Sequence, residues 1–103
     1  MIAYEVTVDV DEAVAERYIA YMKQQHIPRI LATACFAHAE LDRATSTRFR
    51  QRYLAANLAD LELYLERHAP ALRADFAREF PAGTTLSREI WEEYGRWTAP
   101  GEA

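Results

Sequence analysis

Two stretches 42 residues apart repeat one phrase: Met22-Lys23-Gln24-Gln25-His26-Ile27-Pro28-Arg29-Ile30-Leu31-Ala32 and Tyr64-Leu65-Glu66-Arg67-His68-Ala69-Pro70-Ala71-Leu72-Arg73-Ala74. Each ends an amphipathic helix at His-x-Pro and resumes with an apolar helical turn. The residue before a proline is pushed out of the helical region, whereas proline itself is well suited to start a new turn. A matched pair of this kind predicts a domain of two similar halves, each carrying one kinked helix. It constrains the architecture and names no substrate.

Strand patterns flank both helices. Ile2, Tyr4, Val6, Val8 and Val10 alternate with Ala3, Glu5, Thr7 and Asp9, the period of a strand with one buried face. Asp11 is placed to cap a helix with the stripe Val14, Tyr18, Ile19 and Met22. Alternation returns from Phe36 to Asp42 and from Arg48 to Ala55, with Ala44-Thr45-Ser46 as a hairpin turn. Asn57 caps a second helix bearing Leu58, Leu61 and Leu65, which Leu72, Phe76 and Phe80 continue until Pro81-Ala82-Gly83 ends it. Leu86 to Trp97 reads as the last strand, with space for a bulge at Glu92-Glu93 or Gly95, and Thr98 to Ala103 as a frayed tail. The order βαββαβ predicts an α+β, ferredoxin-like domain over residues 1–97. Its four-stranded antiparallel sheet has the order 4-1-3-2, with two kinked helices on one face.

Four stretches carry a resemblance: Tyr4-Glu5-Val6-Thr7-Val8-Asp9-Val10-Asp11, His26-Ile27-Pro28, Arg52-Tyr53 and Leu65-Glu66-Arg67-His68-Ala69-Pro70-Ala71-Leu72-Arg73-Ala74. Together they resemble a bacterial family catalogued only as a domain of unknown function, over nearly the whole chain. That family is similar to the dimeric α+β barrel proteins, in which two ferredoxin-like sheets pack face to face. The superfamily includes cofactor-independent monooxygenases, haem-handling enzymes and lactone isomerases. The resemblance implies a homodimeric barrel and carries no catalytic residue onto this chain.

At 103 residues, folding buries only about two thirds of the unfolded surface, so a second copy of the chain is a natural source of further burial. Half of the residues are hydrophobic and Gly and Pro are sparse, the profile of a packed domain. A net charge of −4 argues against nucleic acid and anionic membranes as partners, since both need a positive surface. The single cysteine, Cys35, excludes an intrachain disulfide and suits a reducing compartment; beside Phe36 it reads as a buried small side chain. With no basic-then-apolar leader and no apolar run of about 18 residues, the expected location is the cytoplasm.

His26 and His68 are the first candidates for chemistry, as a neutral imidazole can ligate a metal or act as a base. The antiparallel topology predicts that the two elbows lie at opposite ends of the protomer. A 15-residue helix is about 22 Å long, so the two histidines are not expected to share a metal ion within one protomer; no cofactor is expected either. Capping of a helix end explains most of what a histidine does there. His26 alone is retained as a candidate base or pocket residue, with Tyr53, Arg50 and Arg52 as further pocket candidates.

The second candidate is the sheet face away from the helices. Pairing Leu41 with Phe49, Ala39 with Gln51 and Ala37 with Tyr53 would set Asp42, Glu40 and His38 opposite Arg48, Arg50 and Arg52, with Glu5, Thr7 and Asp9 beyond. Such a face is expected inside a homodimer, where charge pairs set register. Its interface candidates are Glu5, Thr7, His38, Glu40, Arg48, Arg50, Arg52 and Trp91. A charged lining is a poor host for haem or a large apolar polyketide. An RNA-recognition surface is the weakest reading, since Phe49 and Tyr53 share the helix-packed phase. The sequence therefore points to a small-molecule binding or interaction module. The rival is a cofactor-independent monooxygenase or isomerase with a pocket at His26, and an enclosed cavity touching His26 would favour that rival.

Overall fold

The computed structural model describes residues 1–101; the last two positions of the expected tail, 102 and 103, lie outside the described residues. The elements are β1 (Ile2–Val10), a 3-10 turn (Glu12–Val14), α1 (Ala15–Tyr21), a π-helical turn (Met22–His26), α2 (Ile27–Ala32), β2 (His38–Thr45), β3 (Arg48–Ala55), α3 (Leu58–Arg67), α4 (Ala69–Glu79) and β4 (Thr84–Glu92). The antiparallel sheet has the order β2-β3-β1-β4, the expected 4-1-3-2 read from the other edge. Tyr4, Val6, Val8, Phe49 and Tyr53 pack under Tyr18, Met22, Leu61, Tyr64, Leu72 and Phe76 in one core. Asn57 caps α3, its side chain accepting from the Asp60 amide at 2.9 Å. Asp11 instead makes no side-chain cap; its amide donates to the Gly83 carbonyl at 2.8 Å. Leu58, at the start of α3, is exposed and takes no part in the stripe.

Three expectations are corrected. The β2–β3 register is shifted by two residues: Ala39 pairs with Tyr53, Leu41 with Gln51 and Arg43 with Phe49. The reason lies in the hairpin, which closes through Ser46-Thr47 with Thr45 opposite Arg48 and an irregularity between Arg43 and Thr45. Turn geometry sets register, and a shift of two preserves the faces. His38 therefore stands opposite Leu54, outside the arginine rows. Second, β4 begins at Thr84 and stops at Glu92, because its sole partner β1 begins at Ile2, which pairs with Glu92. Its register against β1 is continuous, with no bulge.

Third, the two elbows differ. Ile27, before Pro28, stays helical at φ −61° and ψ −46°, and its amide donates to the Met22 carbonyl five residues back. The kink is thus absorbed by a π-turn. At the second elbow the helix breaks at His68, with φ −116° and ψ −39°.

Candidate functional site

The helix-facing side of β1 and β3 presents Tyr4 beside Tyr53 and Val6 beside Gln51. Above them the π-turn brings in His26, α2 Ile30, α3 Tyr64, and α4 Leu72, Arg73 and Phe76; β4 closes the side with Leu86 and Arg88. These residues line a cavity of about 50 Å³, space for one or two small groups. All are buried except Leu86, which is partly covered, and the exposed Arg73 and Arg88. The solvent side of the lining is therefore formed by the two arginines, Arg73 and Arg88.

His26 is only 9% exposed, and its Nδ1 is buried without a hydrogen-bond partner among the described residues. The ring lies nearly parallel to Tyr21, with centroids 5.7 Å apart, and against Phe76 at 5.6 Å. A buried polar atom left unpaired costs about 1–3 kcal/mol. Burial pulls the His26 pKa down to about 4, helped by the nearby Arg29 charge and opposed by Asp75, so the imidazole is neutral near pH 7.

The floor is a polar relay inside an apolar core. The Tyr53 hydroxyl donates to Gln51 Oε1 at 3.0 Å, and Gln51 Nε2 donates to the Tyr18 hydroxyl. Burial raises the pKa of Tyr18, Tyr53 and Tyr64, which keeps these phenols protonated as hydrogen-bond donors. At the mouth, Arg73 Nη2 donates to the Tyr4 hydroxyl at 3.0 Å.

Of the pocket candidates, His26 and Tyr53 line this cavity, whereas Arg50 and Arg52 lie on the opposite face of the sheet, where they line a wider, open depression with Glu5, Glu40 and Trp91. The alternation did not single out Gln51, although a polar residue in the apolar phase between Phe49 and Tyr53 was its signal. Arg73 and Arg88 were also missed. Arg73 sits inside the repeated phrase, and Arg88 shares the helix-facing phase of β4 with Leu86 and Ile90. That phase became readable only from the pairing of Arg88 with Val6.

The interface candidates Glu5, Thr7, His38, Glu40, Arg48, Arg50, Arg52 and Trp91 all occupy the face away from the helices. Arg52 lies between Glu5 at 3.7 Å and Glu40 at 3.8 Å, Arg50 meets Asp42 at 2.8 Å, and Arg48 meets Asp9 at 3.4 Å. The hydrogen bond from Arg50 to Asp42 raises the arginine pKa further. Half-exposed pairs of this kind contribute about 0–1 kcal/mol each. Beside them Trp91 is 52% exposed, and the segment after β4 presents Tyr94 at 91% and Trp97 at 87%. Phe49 and Tyr53 are buried under the helices, so neither aromatic is presented for base stacking. Among the described residues, no group of three His, Cys, Asp or Glu side chains is placed to hold a metal ion, and no helix is long and apolar enough to cross a membrane.

Comparison with known proteins places this geometry among ferredoxin-like folds. A family model described as a domain of unknown function (DUF4286) matches residues 1–94. No curated protein sequence matches the chain. The crystal structure of HapK from Hahella chejuensis is similar at a TM-score of 0.74 and 13% identity, covering 98% of this chain and 100% of that one. A Streptomyces coelicolor monooxygenase in complex with the ligand nanaomycin D gives 0.74 and 13%, covering 95% and 91%. A dimeric ferredoxin-like protein from an uncultured marine organism gives 0.71 and 7%, covering 96% and 100%. At these identities the likeness is one of fold alone.

Proposed function

Since the chain belongs to the DUF4286 family, a domain of unknown function matched over residues 1–94, we propose from its own geometry that it is a homodimeric, cytoplasmic small-molecule binding protein. The ligand occupies the cavity between helices and sheet, and the opposite sheet face forms the dimer. The observation that carries the binding reading is His26, a buried imidazole whose Nδ1 has no partner among the described residues, on the wall of a tyrosine-floored cavity. The π-turn that carries His26 adds support, as such turns recur at functional sites. The dimer is supported by the three arginine–carboxylate rows and the exposed Trp91, and by the dimeric state named for one structural neighbour. The buried, free Cys35 suits a reducing compartment.

The rival is a cofactor-independent monooxygenase or isomerase, and the cavity at His26 is what favours it. It needs His26 to take up a proton, and general bases work best with a pKa near the working pH. A value of about 4 makes His26 a weak acceptor, so binding is the reading adopted. Native mass spectrometry after incubation in cell extract tests it: wild type should retain small-molecule adducts that His26→Phe loses. Identical, adduct-free spectra would refute the reading. Small-angle scattering at micromolar concentration should give twice the chain mass, and a monomer would remove the dimer.

A further inference from the structure

Among the described residues, eight of the twelve Lys and Arg side chains pair with a carboxylate: Arg17, Arg29, Arg43, Arg48, Arg50, Arg52, Arg78 and Arg96. Four do not, and two of those four, Arg73 and Arg88, border one cavity. In a chain of net charge −4, two unneutralised guanidinium groups at one mouth are a specific arrangement. Both charges are felt at the Tyr64 phenol, which lines the same cavity. Arg73 spends one N–H on Tyr4, and a guanidinium has five to offer.

We infer that the cavity takes a short-chain organic acid, its carboxylate held at the mouth by Arg73 and Arg88 and its carbon chain inside against the apolar part of the lining. The inference rests on this cavity being the binding site and adds the ligand class. Guanidinium groups recognise planar carboxylates through paired hydrogen bonds. Behind them Val6, Ile30, Leu72, Phe76 and Leu86 form an apolar wall, which suits a carbon chain. The volume of about 50 Å³ limits the buried part to a few carbon atoms.

Butyrate, its neutral isostere butyramide, and sulfate are suitable probes, followed by the ring signals of His26, Tyr4 and Tyr64 in NMR titrations at constant ionic strength. Butyrate should shift these signals saturably. Butyramide, Arg73→Gln and Arg88→Gln should each weaken binding by about tenfold, while Arg67→Gln, away from the cavity, leaves it unchanged. Equal binding of butyramide and butyrate would overturn the carboxylate clamp and leave the cavity as a binding site. Sulfate matching butyrate, with the ring signals still, would reduce the mouth to an unspecific anion site and overturn the proposal. If no probe moves the rings, the short-chain acid proposal falls, and the cavity-binding reading falls with it only if the native mass spectra are also free of adducts.

Discussion

The two His-x-Pro elbows share a sequence phrase and differ in what they do with the histidine. In the second, Tyr64 and His68 stack four residues apart, with ring planes 27° apart, and the helix breaks. In the first, Tyr21 and His26 stack at 28° although they are five residues apart. The π-turn absorbs the extra residue, since its i→i+5 hydrogen bonds bring positions five apart onto one face. The consequence is burial: His26 is enclosed beside a cavity, whereas His68 is only partly covered. One inserted residue thus separates a helix joint from a candidate binding residue.

The largest expected effect comes from changing the residue count at each elbow. Deleting Glu66 from α3 should rotate His68 and α4 by about 100° relative to the first turns of α3 and cost about 3 kcal/mol or more. Deleting Gln24 should convert the π-turn to an α-turn, keep both flanking helices in register and cost far less. Equal losses in denaturant unfolding would break the comparison.

Next in size is the pH response. The folded pKa of His26, about 4, lies below its ordinary 6.5, so the unfolded chain takes up this proton first as pH falls. Stability is therefore lost between about pH 6.5 and 4, by up to about 3 kcal/mol, and levels off below. His26→Phe should remove this share of the acid sensitivity; unfolding curves of wild type and variant across that range read the difference. At pH 7, His26→Phe should be neutral or stabilising by about 1 kcal/mol, because it removes an unpaired buried nitrogen. A loss above that would mean that Nδ1 has a partner in solution. The smallest effect on the protomer belongs to the open face. Arg50→Glu breaks an exposed pair and should shift unfolding by less than about 1 kcal/mol, while sedimentation shows weaker association. Unchanged sedimentation would make that face merely solvated.

Much of this molecule was readable as local pattern. The alternation from Ile2 to Val10 marked β1 to the residue, Asn57 announced the start of α3, and the phases of β1, β2 and β3 put Glu5, Thr7, His38, Glu40, Arg48, Arg50 and Arg52 on one face, whereas the phase of β4, which carries Trp91, was not readable. The β2–β3 register was not readable, because Ala44-Thr45-Ser46 and the observed Ser46-Thr47 turn are both acceptable to the local chain. The end of β4 was hidden for a related reason: nothing in Glu92-Glu93-Tyr94 reveals that β1 has run out. Of the site, His26 and Tyr53 were named from sequence, and Gln51, Arg73 and Arg88 were not.

By itself the sequence determined periodicity, faces, element order and the duplicated elbow, all of which follow from side-chain spacing along a single stretch of backbone. Tertiary structure alone decided that Ile27 stays helical before a proline and, among the described residues, that His26 is buried without a partner for Nδ1 and that Arg73 and Arg88 go without a carboxylate while eight other cations find one. Those outcomes depend on which distant groups fill the space around a residue. Burial and pairing are properties of that surrounding, and no local pattern encodes them.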